Sequence, residues 1–365
     1  MRRILIVTLV FIRAISLSAQ DIAQPELRLQ SWDVFVKRSA ESPLPADLIF
    51  VNLLTGAQTA ISANGERFSL TQGGVIYFDL DNRQVKLAKA DGIIREHPFI
   101  NAARDTHSVD WIISNDKRRL AWSIVRKIED DQRITAIWLT DAAGAEVREL
   151  LVYGPREGLQ LRPVAFGADY SQLFVEVYAD DSESFSPYLR RSGLFALSIG
   201  EGEVTARNLP GDQTCFCPVG FGAGSMLWLA PSQALTGLDV EIFNLESGVS
   251  QLVPALARGN YRDAGNILVS ADGKQAVYAL SQVRNFASDH AEIRTVVVQV
   301  DLENGLQRIA SRPIADLVRP LHFTENDRAV IVTLEGSDRT LKVDLQDGRL
   351  IDLAEATYLG RLDDH

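Results

Sequence analysis

The sequence predicts an all-β protein, a seven-bladed β-propeller with four antiparallel strands in each blade. Two repeated patterns and the near absence of amphipathic helical periodicity lead to this prediction. The first pattern is an apolar strand, a tight turn rich in Gly, Asn and Asp, and a short second strand. It recurs at residues 48–62, 75–88, 136–150, 194–209, 240–253, 296–310 and 341–353.

The second pattern consists of two apolar strands joined by a polar turn, and it precedes the first pattern five times. Its instances are residues 110–125, 163–178, 218–230, 266–280 and 320–334. Equivalent apolar positions 113, 166, 221, 269 and 323 are 53, 55, 48 and 54 residues apart. Each unit is therefore a meander of strands A, B, C and D, and this spacing is typical of a propeller.

The first unit has no strand A of its own. Residues 32–38 form its strand B, and residues 48–53 and 57–62 form strands C and D. The tail at residues 356–362 has the pattern of the missing strand. Pairing the two ends of the chain would close the ring and remove its free sheet edges.

The second unit is the least regular. Residues 66–70 read as its strand A, so the hairpin at 75–88 is either B–C or C–D. If this unit forms no blade, the alternative is a six-bladed propeller.

The turns between strands A and B resemble those of TolB-like, WD-repeat-like propellers. That family carries an apolar residue, Ser, a small residue, Asp, Gly and Lys, and residues 269–274 (Val-Ser-Ala-Asp-Gly-Lys) match it best. Residues 113–117 and 166–169 match loosely, 323–327 is degenerate, and the turn at 222–224 lacks the Asp. The resemblance implies a propeller but no particular activity, because such propellers include both binding proteins and enzymes.

The first 20 residues have the layout of a secretory signal peptide. Arg2 and Arg3 precede an apolar run at 4–12, and small residues follow near Ser18. We therefore expect a signal peptide at 1–20, a single propeller domain at 21–365, and a secreted or periplasmic protein. The alternative is a short cytoplasmic N-terminal strand. No later window has the ~18 apolar residues of a membrane span.

Charge and composition exclude several kinds of partner and cofactor. With 37 basic and 48 acidic residues the net charge is −11, which is unlike a nucleic-acid binder. Cys215 and Cys217 would share one face of a strand, and we expect two buried free thiols rather than a disulfide or a metal pair. No motif indicates a cofactor or a metal, so none is expected.

The loops divide unequally between the two faces of the predicted ring. A–B and C–D turns lie on one face and are short, whereas B–C and D–A loops lie on the other and are longer. Recognition is therefore expected on the B–C and D–A face. The longest loop, 179–191, is predicted to contact a partner through Asp180, Asp181, Phe185, Tyr188, Arg190 and Arg191. The alternative is a tolerated surface insertion.

Three arginines are expected near the mouth of the central channel. Arg162 and Arg319 each precede a Pro at the start of a strand A, and Arg262 lies near the start of another. Converging guanidinium groups would bind an anion or carboxylate. The alternative is that each arginine pairs with a neighbouring acid.

No catalytic signature is present, and no catalytic residue is predicted. His107, Ser108 and Asp110 lie too close together in one segment to form a hydrolytic triad. The leading hypothesis is an extracytoplasmic propeller that binds a protein or small ligand without catalysis. The alternative is a hydrolase, lactonase-like or cyclotransferase-like, with carboxylates or His at the channel mouth.

Overall fold

The computed structural model describes residues 31–39, 44–103, 105–128, 131–141, 144–179, 187–189, 191, 193–200, 202–209, 218–232, 237–256, 260–285, 291–324 and 326–363. These residues form 28 β-strands, and no α-helix occurs among them. The strands are β1 Ser31–Lys37, β2 Ala46–Asn52, β3 Gln58–Ala63, β4 Gly65–Thr71, β5 Gly74–Asp79, β6 Gln84–Ala88, β7 Ile94–Glu96, β8 Thr106–Ile113, β9 Arg119–Lys127, β10 Gln132–Asp141, β11 Arg148–Glu157, β12 Leu159–Phe166, β13 Gln172–Ala179, β14 Leu194–Ser198, β15 Ala206–Asn208, β16 Val219–Gly222, β17 Ser225–Pro231, β18 Leu238–Asn244, β19 Ser250–Val253, β20 Asp263–Val269, β21 Gln275–Arg284, β22 Glu292–Asp301, β23 Leu306–Ile309, β24 Val318–Phe323, β25 Ala329–Leu334, β26 Arg339–Asp344, β27 Leu350–Ala354 and β28 Thr357–Asp363.

The strands form seven four-stranded antiparallel sheets, and this confirms the predicted seven-bladed propeller. Blade 1 contains β28, β1, β2 and β3 from the inner strand A to the outer strand D. Blades 2 to 7 follow in chain order as β4–β7, β8–β11, β12–β15, β16–β19, β20–β23 and β24–β27. The second unit forms a complete blade in which β5 and β6 are strands B and C, so the six-bladed alternative is wrong.

The ring closes between the first and last described strands. Strand β28 pairs with β1 as the inner strand of blade 1, which confirms the role predicted for the C-terminal tail. The Ser31 hydroxyl donates to the Asp363 carboxylate at 2.7 Å. Residues 332 positions apart therefore lie side by side.

The core lies between neighbouring blades. Strands in second position are buried on both sides, and every residue of β5 and β25 is buried. Six apolar clusters fill the contacts between consecutive blades from blade 1 to blade 7. Outer strands β7 and β15 are fully exposed. Burial of apolar surface between blades, at roughly 25 cal/mol per Å², is therefore the main force that holds the ring together.

The contact between blades 7 and 1 relies more on hydroxyl groups. Thr340 donates to the carbonyl oxygen of Ala356 at 2.6 Å, and Thr357 donates to Asp338 at 3.0 Å. The hydroxyls of Thr333 and Thr357 are 3.3 Å apart. This seam is thus stabilised by directional bonds that fix the position of β28.

Several predicted features lie outside the described residues. These are the signal peptide at 1–20 and the thiols of Cys215 and Cys217. Within the described part of the chain, no helix is present that could span a lipid bilayer.

Candidate functional site

A cavity of about 360 Å³ lies at the centre of the ring. The inner strands of blades 3 to 7 (β8, β12, β16, β20 and β24) line it, mostly with apolar side chains and glycines. Arg191 and Arg319 are the charged residues that line it, and no Asp, Glu or His among the described residues does so. The charged side chains on the wall of the central cavity are therefore cationic.

Glycines bring the inner strands of blades 5 and 6 together beside this cavity. A Cβ atom on Gly220 would lie 2.6 Å from Ile267 Cβ, and one on Gly222 would lie 2.6 Å from Val269 Cβ. Only a residue without a side chain allows strands to approach this closely. The glycines thus allow β16 and β20 to pack closely beside the cavity.

The end of the 179–191 loop crosses the channel mouth. We call residues 187–191 the strap, of which 187–189 and 191 are described. Tyr188, which follows strand B of blade 4, packs into the core between blades 6 and 7. The Tyr188 and Ser281 hydroxyls share a hydrogen bond, and Ser281 in turn bonds Thr295 at 2.6 Å. Burial raises the pKa of Tyr188 to about 12, so its hydroxyl stays protonated.

The strap places Arg191 at the cavity. Its Nη1 lies 2.9 Å from Oε2 of Glu176, whose side chain is only 1% exposed. The other carboxylate oxygen of Glu176 accepts a hydrogen bond from Arg162 Nε. The Arg162 guanidinium also lies 4.3 Å from the centroid of the Tyr178 ring. One buried carboxylate therefore positions two arginines, whose charges compensate its own.

A second carboxylate extends this network towards blade 2. Asp110 forms an ion pair with Arg67 Nη1 and accepts a hydrogen bond of 3.0 Å from the Tyr178 hydroxyl. Burial, and after it the charge of Asp110, raises the pKa of Tyr178. Tyr178 therefore acts as a neutral donor, and it connects the Asp110 pair to the Arg162 pair.

Arg319 is held less tightly than Arg191. Its Nε lies 3.7 Å from Glu335 Oε1, and its side chain is 51% exposed. Burial raises the pKa of Glu335, and Arg319 opposes that shift. Because a guanidinium has five N–H donors, one long ion pair leaves most of them available to a ligand.

The three arginines predicted at the mouth do not line one cavity. Arg319 lines it, whereas Arg162 is engaged by Glu176 beside it, and exposed Arg262 is not among the lining residues. Of these three side chains, the structure places Arg319 on the cavity, and Arg162 pairs with an acid as the alternative expected. Arg191, predicted only as a partner-loop residue, takes the second cationic position. Its sequence neighbourhood does not reveal that role, because it depends on a carboxylate in another strand.

The predicted partner loop also differs from its expected form. Tyr188 is 1% exposed and belongs to the core, so it does not present a docking surface in this structure. The physical reason is that Gly265 leaves room for its ring. Asp180, Asp181, Phe185 and Arg190 lie outside the described residues.

The segment containing His107, Ser108 and Asp110 does not form a triad. Ser108 donates to Gln160 at 3.2 Å, while Asp110 is bound to Arg67 and Tyr178. These contacts connect β8 to strands of blades 2 and 4. Over the residues that the structure describes, no group of three His, Cys, Asp or Glu side chains is arranged to bind a metal ion.

Comparisons with known proteins show the fold alone. No protein family and no curated protein matches the sequence. The oligogalacturonate lyase of Vibrio parahaemolyticus is similar in structure, with a TM-score of 0.55 and 8% identity, over 93% of this chain and 94% of that chain. A puromycin hydrolase gives a TM-score of 0.56 and 12% identity over 90% of this chain, which spans 52% of that longer protein. TolB from Acinetobacter baumannii gives a TM-score of 0.43 and 12% identity, over 92% of this chain and 66% of that chain.

Proposed function

We propose that this protein is an extracytoplasmic propeller that binds a ligand with an anionic group in its central cavity and does not catalyse a reaction. The observation that carries this proposal is the lining of the cavity, where Arg191 and Arg319 are the charged residues among apolar side chains and glycines. The ligand expected from this chemistry has a carboxylate at one end and an apolar body. A small molecule and the end of a peptide chain both meet that description.

The two arginines have complementary tasks in this proposal. Glu176 holds Arg191 in place, so its guanidinium is ordered before a ligand arrives. Arg319 is half exposed and has only a long ion pair, so it can turn towards a carboxylate. Preorganised donors bind an anion with less loss of side-chain entropy. Bidentate contacts to a carboxylate are the strongest hydrogen bonds that arginine makes.

The location proposed for this function rests on residues 1–20. A basic start, an apolar run and small residues are typical of an export signal. Fractionation of cells that express the full chain tests this part of the proposal. A protein found with the cytoplasmic fraction at its full-length mass would contradict it.

The catalytic alternative expects acidic groups or His that face the cavity. Two carboxylates beside the cavity, Glu176 and Asp110, have side chains that are 1% and 4% exposed, and both are paired with arginine. A third, Glu335, is 33% exposed and lies 3.7 Å from Arg319. A carboxylate engaged in this way is poorly available as a nucleophile or a proton donor. This arrangement favours binding over hydrolysis.

The test uses a matched pair of probes, N-acetyl-leucine and its amide. The two have the same apolar body, and only the first carries a carboxylate. Ligand-observed NMR should detect binding of the acid at millimolar concentration and much weaker binding of the amide. Substitution Arg319→Gln should weaken binding of the acid about tenfold, since one charge-assisted contact is lost.

The control variant is Arg207→Gln, on the exposed strand β15, which removes the same charge away from the cavity. It should leave binding unchanged. Equal binding of the acid and the amide, or equal loss in both variants, would contradict the proposed carboxylate site.

A further inference from the structure

A second cavity, of about 200 Å³, lies between blades 2 and 3. Its walls include Thr71 and Gly73 from the A–B turn of blade 2, and Lys117 from the A–B turn of blade 3. These turns belong to the face opposite the strap. The second cavity therefore differs from the central one in its place between two blades and in its charged residues.

The second cavity is lined by four basic side chains and no acidic one within the described residues. They are Lys89, Arg95, Lys117 and Arg119. The whole chain carries a net charge of −11, so the charge of this cavity is opposite in sign to that of the chain. Like charges that share a cavity repel one another, and an anion placed among them relieves that repulsion.

The acidic residues of the same turns are directed to their own backbone. Asp91 accepts a hydrogen bond of 3.0 Å from the amide of Ile93, and Asp116 accepts one of 3.0 Å from the amide of Arg118. Over the described residues, neither Lys89 nor Arg95 has an acid within ion-pair distance. Their charge is therefore not compensated by a neighbouring side chain.

A neutral histidine adds a donor to the same wall. The amide of Ile100 donates to His97 Nδ1 at 3.3 Å, so the ring proton resides on Nε2. Burial, and after it the charge of Arg95, lowers the pKa of His97 to about 4. The ring is thus uncharged at neutral pH, and it supplies an N–H group to the cavity.

Lys117 stands in a backbone conformation that favours glycine. Its φ is 59°, and the equivalent position in the blade 6 turn is Gly273, with φ of 72°. A residue with a Cβ atom is strained in this left-handed region, whereas glycine is not. The Lys117 ammonium gives one of its three N–H groups to the carbonyl oxygen of Arg361 in β28, which does not line this cavity.

We propose that this cavity binds a tetrahedral oxyanion, either free phosphate or the phosphate group of a small ester. Lys89, Arg95 and Lys117 supply the charge, and His97 supplies a neutral N–H donor. Arg119 already donates to the carbonyl oxygen of Tyr170 at 2.6 Å, so it acts on the anion mainly through the electrostatic field of its positive charge. A tetrahedral oxyanion can accept from several donors around it, which suits donors that come from two blades.

The experiment titrates the full chain with inorganic phosphate by calorimetry at low ionic strength, where screening is weakest. The double substitution Lys89→Gln/Arg95→Gln should reduce the affinity for phosphate at least about tenfold, because it removes two charge-assisted contacts. Lys117→Gly should also reduce the affinity for phosphate. This variant should still fold, because Gly273 occupies the equivalent turn position in blade 6. Denaturant unfolding of each variant checks that the fold is intact.

The control is Lys37→Gln/Arg207→Gln, which removes the same net charge from exposed positions elsewhere in the ring. It should bind phosphate like the unmodified chain. Titration with glycerol 3-phosphate distinguishes free phosphate from a phosphate ester as the ligand. Tighter binding of the ester indicates an esterified ligand, and equal binding indicates the free anion. Failure of both probes to bind, or equal weakening in the control, would overturn the proposal.

Discussion

Tyr188 occupies the space above the backbone of Gly265. A Cβ atom at position 265 would lie 2.4 Å from the Tyr188 Cβ atom, which is closer than such atoms approach in folded proteins. Tyr188 belongs to the strap of blade 4, and Gly265 belongs to the inner strand of blade 6. This contact therefore fastens the strap across the mouth of the central cavity.

The first prediction concerns this contact. Gly265→Ala should lower the free energy of unfolding by about 1–3 kcal/mol, because the added methyl group overpacks the strap against β20. Denaturant unfolding measures the change. Gly200→Ala is the control, since a Cβ atom there meets nothing within 4 Å. An equal loss in both variants would show that Tyr188 does not constrain position 265.

The second prediction concerns the buried carboxylate that two arginines share. Glu176→Gln should destabilise the fold by about 2–3 kcal/mol, since it leaves the charges of Arg162 and Arg191 without their partner. The same substitution should weaken binding of N-acetyl-leucine, because Arg191 loses its fixed position.

Glu303→Gln serves as the control for this second prediction. Glu303 is 63% exposed, and its pair with Lys274 spans 3.8 Å. A surface pair of this kind contributes little, so the loss should stay below about 0.5 kcal/mol. If the two substitutions cost the same, the network around Glu176 does not stabilise the mouth.

The third prediction concerns acid stability. The pKa of His97 is lowered in the folded state to about 4, first by burial and then by Arg95. Lys89, Lys117 and Arg119 line the same cavity and also oppose a charged ring. A lowered pKa means that the stabilisation is fully present above the unfolded pKa, near 6.5, and is lost as the pH falls towards 4. The loss should reach about 2 kcal/mol at pH 5.

His97→Asn isolates this effect, because the amide oxygen can replace Nδ1 as acceptor for the Ile100 amide. The difference in unfolding free energy between the original chain and the variant should shrink from pH 7 to pH 5. Thermal or denaturant unfolding at several pH values provides the measurement. A difference that stays constant over this range would refute the assignment of a neutral His97.

The fourth prediction concerns ring closure. Since the Ser31 hydroxyl lies 2.7 Å from the Asp363 carboxylate, a short Gly-Ser linker can join these positions without distorting blade 1. A circular permutant with this linker and new ends at the exposed turn of residues 246–248 should keep the circular-dichroism spectrum of the fold. Removal of residues 356–365 instead should abolish cooperative unfolding, because blade 1 loses its inner strand. Cooperative unfolding of the truncated chain would show that closure is not needed.

The sequence predicted the ring well because blade strands repeat a local pattern. Alternating apolar residues and Gly, Asn or Asp turns are sufficient to identify the hairpins, and they led to the closing role of residues 356–362. The A–B turns could also be recognised in the sequence from their Asp residues. In the structure, Asp272 accepts a hydrogen bond from the amide of Lys274, as turn residues commonly do. Local chemistry thus determines the blade.

The candidate site was harder to predict, because it depends on contacts between distant segments. Nothing near Tyr188 in the chain indicates the space above Gly265, which lies 77 positions later. For Arg162 the sequence left two possibilities open, an anion site or a pair with a neighbouring acid, and cross-strand register places it opposite Glu176. The cavity of Lys89 and Arg95 was missed because its basic residues are spread over two blades and form no run in sequence.

The pairing of β1 with β28 has a consequence for synthesis. A nascent chain emerges from the ribosome with β1 first, and the inner partner of that strand is translated last. Until then the first blade has an exposed apolar edge, which invites pairing with other chains. Production of this protein therefore depends on how long that edge can be kept from aggregating while the remaining six blades assemble.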